Sequence, residues 1–345
     1  MTVGARLSEE ELVRSPAWLP LEAADGCTVR MLCLDEAAYD RASFLDQRLL
    51  ALGYPHKLCE LALLEAAAAR LAPRAHYIFH TGHVGSTLLS RLVGAHGELF
   101  SLREPALLRA LVAQPPVRGT PGLEVALALL GRTWRANQRA VIKATSFVSE
   151  LAAAMLAADE RAAAICMFAH PRNFLRGILA GPNSRVETAQ LAPARMQRLR
   201  RRLGAGVCDM DTRSEGESIA MSWLCEMTTL HQATSAVASR VLWVNFDAFL
   251  VEPFAGLEAV FRALGATAAA GEIRSLVQGP LMRQYSKAPQ YGYDAALRRA
   301  LLESADREHP GEIRRGMEWL RKVAMHHRLV ATILERYAHD GQERR

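Results

Sequence analysis

The sequence predicts an α/β fold in which a parallel sheet lies between two layers of helices, with helical additions at both ends of the chain. A short apolar run, Tyr77–Phe79, enters a glycine-containing turn and continues as a helical pattern. Later apolar runs also end in polar residues, and helical patterns separate them. Strands that alternate with helices form a parallel sheet covered on both faces, so we expect a three-layer α/β/α arrangement.

The composition is typical of a chain with a large hydrophobic core. Of the 345 residues, 50% are hydrophobic and 23% are charged, which excludes a disordered protein. A net charge of +6, with a sequence pI near 9.2, favours acidic small ligands or weak polyanion binding. Because this charge excess does not by itself make a nucleic-acid-binding protein, we expect no nucleic-acid partner.

The cysteines form no recognisable metal or disulfide pattern. They lie far apart, without a Cys-x-x-Cys pair or a Cys/His group of zinc spacing: Cys27, Cys33, Cys59, Cys166, Cys208 and Cys225. We therefore expect reduced thiols and no metal site.

The first part of the chain, residues 1–71, is predicted to be an accessory segment. It contains a short apolar run, Val29–Leu34, and amphipathic helical patterns at about 36–51 and 56–71. The N-terminus turns acidic at Glu9–Glu11, where a signal peptide would need an apolar core. With no uncharged stretch of membrane-spanning length, the sequence predicts a cytoplasmic protein without a membrane partner.

Residues 72–290 are predicted to form the α/β core. Three further apolar runs end in polar residues: Val141–Ile142 before Lys143, Ala162–Phe168 before His170, and Val241–Phe246 before Asp247. Helical patterns lie at about 104–113, 122–136, 147–157, 171–180 and 216–237. Since ligands bind at the carboxyl ends of parallel strands, the four strand ends are expected to face one crevice. Residues 291–345 are predicted to add charged helices, within a single domain that spans residues 1–345.

The turn after the first core strand is predicted to bind phosphate. It consists of Thr81, Gly82, His83, Val84, Gly85, Ser86 and Thr87, and Leu88 continues the helix. A turn at a helix N-terminus directs several backbone N–H groups and the positive end of the helix dipole towards one point. The two glycines let the backbone curl around an anion, and the two hydroxyls can donate to it. An ordinary glycine-containing turn would also explain the pattern.

The P-loop of nucleoside triphosphatases carries a lysine that this turn does not have. In the motif G-x-x-x-x-G-K-[ST] the lysine meets the β- and γ-phosphates, and here Ser86 stands between Gly85 and Thr87. The apolar run that ends in Asp247 nevertheless fits a strand with a magnesium-binding aspartate. An ATP- and magnesium-dependent phosphotransferase of the P-loop type therefore stays an alternative.

At this point the residues resemble a known family. The segment Gly82–Leu88 resembles the 5′-phosphosulfate loop of sulfotransferases, which use 3′-phosphoadenosine 5′-phosphosulfate (PAPS). Leu102–Pro105 is similar to the segment with the catalytic glutamate in tyrosylprotein and related bacterial sulfotransferases. Val141–Thr145 resembles the next family strand with its basic residue, and Val241–Gly265 resembles a later strand and helix. The resemblance covers roughly residues 75–290.

The chain departs from the family at several positions. The family usually has Lys or Arg at His83, and cytosolic members have a histidine at Thr145. Where the family has an Arg and a Ser for the 3′-phosphate of the donor, this chain has Ala169 and Gly177, with Arg172 nearby.

The resemblance implies sulfuryl transfer from PAPS to a hydroxyl or amine acceptor, either a small molecule or a peptide. Glu104 would be the general base, Lys143 would stabilise the leaving phosphate oxygen, and His83 would contact the leaving group. The donor would be bound by Gly82, His83, Val84, Gly85, Ser86, Thr87, Leu88, Arg172, Arg283 and Lys287. No metal is expected, because this chemistry does not require magnesium.

Several of these residues also fit a purely structural role. Glu104 suits the first turn of a helix, where a carboxylate interacts favourably with the dipole. A solvated loop also accounts for Arg283 and Lys287, and a solvated helix face accounts for the arginine run Arg195–Arg202. A non-catalytic nucleotide-binding protein is a further alternative. The sequence does not predict the oligomeric state.

Overall fold

The N-terminal segment contains a three-stranded antiparallel sheet together with short helices. In the computed structural model, which describes residues 6–113, 115, 117–204, 213–286 and 290–338, the sheet has the order β1-β2-β3. Its elements are α1 (Glu9–Arg14), β1 (Trp18–Ala23), β2 (Thr28–Cys33), α2 (Glu36–Arg41), a 3₁₀ helix (Gln47–Leu52), β3 (His56–Glu60) and α3 (Leu61–Ala69).

The predicted helical patterns at 36–51 and 56–71 are therefore only partly correct. The backbone at Ala42 is extended and ends α2, and Asp46 starts the 3₁₀ helix by accepting a hydrogen bond from the Arg48 amide with its side chain. Strand β3 pairs with β2 from Thr28↔Glu60 to Leu32↔His56. This pairing with a distant strand outweighs the local helical pattern.

The core is a parallel sheet of five strands in the order β5-β6-β4-β7-β8. The strands are β4 (Ala75–His80), β5 (Leu99–Arg103), β6 (Arg139–Lys143), β7 (Ala164–Phe168) and β8 (Val241–Asn245). All residues of β4, β5 and β7 are buried, as expected for strands that helices cover on both faces. The predicted fold class is confirmed, with β5 as a strand that the sequence analysis did not identify.

Helices surround the sheet and continue beyond it. They are α4 (Ser86–Gly94), α5 (Ala106–Leu111), α6 (Leu123–Leu130), α7 (Ala152–Ala157), α8 (Pro171–Leu179), α9 (Pro182–Leu203), α10 (Glu215–Ser235), α11 (Phe246–Val251), α12 (Pro253–Ala263), α13 (Ala270–Gln278), α14 (Ala295–Glu308), α15 (Pro310–His326) and α16 (Arg328–Tyr337). Short 3₁₀ helices cover Ser146–Leu151, Ala238–Arg240 and Pro280–Arg283.

Strand β4 shows how the two faces are packed. Ile78 belongs to a hydrophobic core with residues of α4, α8, α10, α12, α15 and α16. Its neighbours Tyr77 and Phe79 belong to another core, with residues of α5, α6, α7 and the N-terminal segment. Because successive side chains of a strand point to opposite faces, the sheet lies between two layers.

Two buried arginines connect the N-terminal segment to the core through backbone carbonyls. Arg103 donates to the carbonyls of Tyr39, Asp40 and Ala42. Arg132 donates to the carbonyls of Leu12, Ser15 and Trp18. The division into residues 1–71, 72–290 and 291–345 within a single domain stays a prediction.

Across the ranges that the structure describes, none of the helices is both long enough and apolar enough to cross a membrane.

Candidate active site

The loop between β4 and α4 has an unusual backbone. Gly82, His83 and Gly85 have φ angles of +93°, +52° and +66°, in the left-handed region. The amide of Gly82 donates to Nδ1 of His80 over 3.0 Å, which tightens the turn. Gly85 is the N-cap of α4 and provides no side-chain cap for the first turn. The first amides of α4 therefore face a position where an anion would be stabilised.

Gly85 also allows an aromatic ring to pack directly on the loop. A Cβ atom at this position would lie 2.1 Å from Cε2 of Phe246, the first residue of α11. Together with the positive φ, this contact leaves no room for a side chain. The ring of Phe246 thus supports the loop and forms part of the cavity wall.

The hydroxyl of Thr87 is the clearest sign that the loop holds a ligand. Thr87 is 3% exposed. Its Oγ1 is buried and, among the described residues, has no hydrogen-bond partner. An unsatisfied buried hydroxyl costs about 1–3 kcal/mol, so a phosphate oxygen at this position would recover that cost. Ser86 is also buried, and both residues line the same cavity.

Two neighbouring strands bring Glu104 and Lys143 together. Arg103 and Lys143 are in register where β5 and β6 pair, so Glu104 follows directly beside Lys143. The Lys143 ammonium donates to Oε1 of Glu104, and Oγ1 of Thr145 donates to Oε2 over 3.3 Å. Glu104 has a φ of +52° and lines the cavity. Such a strained backbone persists only where its surroundings enforce it, and it often marks a functional position.

Lys143 ends β6, as predicted, and its side chain is buried against Glu104. Its side chain has no exposed surface, and among the described residues that form the cavity wall Lys143 does not occur. A fully buried ammonium needs a counter-charge, and Glu104 provides it. Lys143 therefore contacts the candidate base, which itself lines the cavity.

His83 lies on the side of the loop that contacts α9. Its Nδ1 is 3.1 Å from Oγ of Ser184, and its Nε2 is 3.3 Å from Oε2 of Glu187. Both partners belong to the first turns of α9. These contacts orient the imidazole, which lines the cavity together with Ser184.

One cavity of about 220 Å³ joins these groups. The loop and Glu104 form one side of it, and the start of α9, the 284–286 loop and α14 form the rest. Its lining residues are His80, His83, Val84, Gly85, Ser86, Thr87, Leu88, Glu104, Gly177, Ala180, Gly181, Ser184, Phe246, Gln284, Tyr285, Ser286, Tyr293, Arg298, Leu301 and Leu302. The cavity thus combines an anion-binding loop, a carboxylate and an aromatic wall.

Arg298 of α14 places a positive charge on the cavity wall. Its Nε donates to Oδ1 of Asp247 over 2.6 Å, and its guanidinium lies 4.7 Å from the centre of the Phe246 ring. Burial opposes the charge, but the Asp247 carboxylate outweighs this effect and raises the pKa of Arg298 above its usual value. The side chain approaches Gly177, where a Cβ atom would be 3.8 Å from Nη1.

The sequence analysis did not identify Arg298, Tyr293 or Ser184 as site residues. Arg298 belongs to one of several arginine-rich helices and has no local motif. Tertiary packing of α14 against α8 brings it to the cavity, where its guanidinium passes Gly177.

Of three further residues predicted to bind the donor, Arg172 lies away from the cavity, Arg283 adjoins residues that line it, and the third is outside the described residues. Arg172 is half exposed and pairs with Asp306 at 2.9 Å, on the outer side of α8 and α14. The carbonyl of Arg283 accepts from the amide of Tyr293, and the cavity lining that the structure describes begins with the next residue, Gln284. Lys287 falls within residues 287–289, outside the described ranges.

The arginine run of α9 does not form a solvated face throughout. Arg195 and Arg198 are buried, and both bind the fully buried carboxylate of Glu226 in α10. Ser149 donates to the same carboxylate over 2.6 Å. These residues form an internal ionic cluster beside the loop between β4 and α4. Gly82 of that loop lies close to Arg195.

No group of three or more His, Cys, Asp or Glu side chains in the described ranges is arranged to hold a metal ion. The expectation that the reaction uses no metal stays a prediction.

Comparisons with solved structures find sulfotransferase domains. One, from the curacin biosynthetic pathway, shares 16% identity over 73% of this chain and 98% of that chain, with a TM-score of 0.39. Another, from the Synechococcus PCC 7002 olefin synthase, shares 15% identity over 78% of this chain and 96% of that chain, with a TM-score of 0.44. Mouse sulfotransferase SULT7A1, complexed with PAP, shares 11% identity over 79% of this chain and 93% of that chain, with a TM-score of 0.41.

Searches with protein-family models and among curated proteins find no match to this chain. The three solved structures belong to the family that the loop sequence resembles. Because their identities and TM-scores are low, we infer the function of the site from its own residues.

Proposed function

We propose that this chain is a sulfotransferase that transfers a sulfuryl group from PAPS to a hydroxyl or amine acceptor. The observation that carries the proposal is that an anion-binding loop and a carboxylate, Glu104, face the same cavity. The loop would hold the phosphosulfate, and Glu104 would accept the acceptor proton.

The loop fits the anionic end of such a donor. The first amides of α4 and the buried hydroxyl of Thr87 offer donors at one place, and that hydroxyl has no partner in the described part of the chain. His83 adds a polar ring at the rim of the loop. On the far wall, Arg298 offers a positive charge, and Phe246 and Tyr293 offer aromatic surface for the remainder of a nucleotide.

Glu104 is arranged to act as a general base. Its carboxylate pairs with the buried ammonium of Lys143, and the residue lines the cavity, where an acceptor would reach it. The bound donor supplies the sulfuryl group, and its bond from sulfur to the phosphate oxygen breaks as sulfur bonds to the acceptor oxygen or nitrogen. The acceptor proton goes to Glu104, and the products are a sulfate ester or sulfamate and adenosine 3′,5′-bisphosphate.

In this proposal Lys143 is a positioning residue. It holds the Glu104 carboxylate through Oε1, while Thr145 holds Oε2. When Glu104 takes up the proton, the Lys143 charge is no longer neutralised by this carboxylate and stabilises negative charge developing nearby. The direct contact with the leaving oxygen that the sequence analysis expected would require Lys143 to leave its partner.

The alternative phosphotransferase would use Asp247 as a magnesium ligand. Both oxygens of that carboxylate have partners, Arg298 at 2.6 Å and Asn173 at 3.1 Å. A magnesium ion bound there would have to displace a buried, charge-paired arginine, which is costly. The site therefore favours the sulfotransferase over the kinase.

Ligand titration tests the proposal. We expect adenosine 3′,5′-bisphosphate to bind at least about tenfold more tightly than ATP with magnesium, because the loop offers no lysine to the γ-phosphate. The measurement is calorimetric titration of the full chain, followed by detection of adenosine 3′,5′-bisphosphate released from PAPS with candidate acceptors. Preferential binding of ATP with magnesium would contradict the proposal. Binding of the bisphosphate without turnover of any acceptor would indicate a non-catalytic nucleotide-binding protein.

A further inference from the structure

A segment of the N-terminal region, residues 43–48, lies beside the candidate base. The amide of Leu45 donates to the carbonyl of Arg103 over 2.7 Å, and the amide of Ala106 donates to the carbonyl of Leu45 over 2.9 Å. These two bonds bracket Glu104. The segment therefore runs beside the backbone that carries Glu104.

This segment holds an arginine in one fixed orientation. Nη2 and Nε of Arg48 bind the two oxygens of Asp46 at 2.5 and 2.9 Å. The guanidinium also lies 3.8 Å above the ring of Phe44. A two-point contact with a carboxylate and stacking on an aromatic ring together reduce the conformational freedom of an arginine.

The charge of Asp46 does not cancel the charges of the two arginines that bind it. Asp46 is 3% exposed and also accepts a hydrogen bond from Arg109 over 3.1 Å. One buried carboxylate thus serves two arginines, and the group formed by Asp46, Arg48 and Arg109 has a net charge of +1. We call these three residues and Phe44 the Arg48 clamp.

The Arg48 clamp faces solvent, and its cation interacts with the charges of nearby carboxylates. The Arg48 side chain is 61% exposed. Its hydrogen bond to Asp46 and the charges of Asp46, Glu104 and Glu187 raise its pKa above the usual value. Glu104 is already paired with Lys143, and Glu187 is half exposed and close to His83. A ligand that reaches this surface would therefore meet a hydrated cation held by Asp46 and by the ring of Phe44.

We propose that the Arg48 clamp recognises a negatively charged group on the acceptor, so that the acceptor is a hydroxyl or amine compound that also carries an anionic group such as a carboxylate. This inference rests on the proposed sulfuryl transfer. The clamp has its centre outside the part of the chain that resembles sulfotransferases, roughly residues 75–290, so it adds a specificity element from the N-terminal segment.

Three phenols of similar shape and different charge test the inference: 4-hydroxyphenylacetate, its neutral amide, and tyramine, which is cationic. Each is titrated calorimetrically into the full chain saturated with adenosine 3′,5′-bisphosphate, and turnover with PAPS is measured in parallel. We expect the acid to bind about tenfold more tightly than the amide and tyramine to bind most weakly, as for a charge-assisted contact.

The variant Arg48→Ala should abolish the preference for the acid and leave the affinity for the amide unchanged. The variant Arg48→Lys should retain part of the preference for the acid. The matched control is Arg135→Ala, which removes another half-exposed arginine paired with a carboxylate, that of Glu36. A merely structural role for Arg48 would instead lower the affinity for all three phenols together. Equal binding of acid and amide to the wild type, or no binding of any of the three, would overturn the inference.

The same experiment separates this inference from the proposed function. If adenosine 3′,5′-bisphosphate binds and the acid has no advantage, the proposed donor stands and the acceptor class is wrong. If the bisphosphate does not bind, the proposed function fails, whatever the three phenols do.

Discussion

Two buried ionic clusters in this molecule share the same chemistry and differ in what surrounds them. Glu104 pairs with Lys143 at the carboxyl edge of the sheet, and Glu226 pairs with Arg195 and Arg198 between α9 and α10. The oxygens of Glu226 accept hydrogen bonds of 2.6 to 3.1 Å from the two arginines and Ser149, and the residue has no exposed surface. Glu104 faces the cavity.

The two glutamates also differ in backbone conformation. Glu226 lies in the regular helix α10, whereas Glu104 has a φ of +52°. A cluster with no backbone strain and no exposed surface stabilises the fold. A cluster with a strained backbone and a carboxylate that lines a cavity is suited to chemistry, because a reactant can approach it.

Replacing Glu104 gives the largest expected effect on activity. In Glu104→Gln, turnover should fall by about 10²–10⁴-fold, because the general base is lost. The variant also removes the carboxylate charge beside the buried Lys143 ammonium, at a cost of about 3 kcal/mol of folding free energy. Release of adenosine 3′,5′-bisphosphate from PAPS and urea unfolding measure the two effects.

The double variant Glu104→Gln, Lys143→Met separates chemistry from folding. It removes both charges, so stability should return towards that of the wild type while turnover stays low. Turnover within a few-fold of the wild type in the double variant would show that Glu104 is not the base.

The sequence was sufficient to predict the edge of the sheet where these groups meet. Two local patterns carry this prediction: the strand, glycine turn and helix at residues 77–93, and the apolar run before Lys143. The parallel topology brings the ends of the two strands together. The partner of Lys143 was not predicted, since β5 was not identified as a strand and Glu104 was assigned to a helix at about 104–113. Adjacency of β5 and β6 is a property of the sheet order, which local patterns do not encode.

The far wall and the N-terminal sheet depend on contacts between distant parts of the chain. Arg298 reaches the cavity because α14 packs on α8. Strand β3 exists because it pairs with β2, although residues 56–71 have a helical pattern. The arginines of α9 looked like a solvated face, and only the position of Glu226 in α10 shows that two of them are buried. Such features need tertiary information.

Disrupting the Glu226 cluster should lower the stability of the fold and leave ligand binding at the candidate site unchanged. Glu226→Gln removes the only carboxylate shared by Arg195 and Arg198 within the described chain, so the free energy of unfolding should fall by about 3–5 kcal/mol. The affinity of the folded fraction for adenosine 3′,5′-bisphosphate should be retained. Urea unfolding and calorimetric titration measure the two quantities, and a loss of affinity without a loss of stability would contradict the comparison.

The pH dependence gives a control for this variant. Burial acts to raise the pKa of Glu226, but the charges and hydrogen bonds of Arg198 and Arg195 outweigh it and hold the pKa below its usual value of 4.5. The carboxylate therefore contributes its stability above about pH 4.5 and loses it as the pH falls through the lower pKa of the folded state. In Glu226→Gln this part of the acid dependence should be absent.

Thr87 allows a smaller and more selective comparison. Its hydroxyl is buried without a partner among the described residues, so Thr87→Val should leave the free energy of unfolding unchanged or raise it. The affinity for adenosine 3′,5′-bisphosphate should fall by about ten- to a hundredfold, as expected when a hydrogen bond of about 1.5–3 kcal/mol to a charged group is lost.

The matched control is Thr229→Val, next to the Glu226 cluster. The Thr229 hydroxyl shares its one proton between the carbonyl of Cys225 at 2.7 Å and the carboxylate of Glu150 at 3.1 Å. Its loss should lower stability by about 1 kcal/mol and leave ligand affinity unchanged. If both threonines behaved alike, the hydroxyl of Thr87 would have no special relation to a ligand.

The smallest expected effect concerns the backbone of the loop. His83 has a φ of +52°, where β-branched residues are strongly disfavoured and asparagine is tolerated. His83→Val should therefore lower the free energy of unfolding by about 1–2 kcal/mol, and His83→Asn by no more than about 0.5 kcal/mol. The control is His231→Val in the regular helix α10, where histidine and valine have similar propensities and a change of a few tenths of a kcal/mol is expected. Urea unfolding at neutral pH distinguishes these values, and equal losses for valine at positions 83 and 231 would mean that the loop stores no strain.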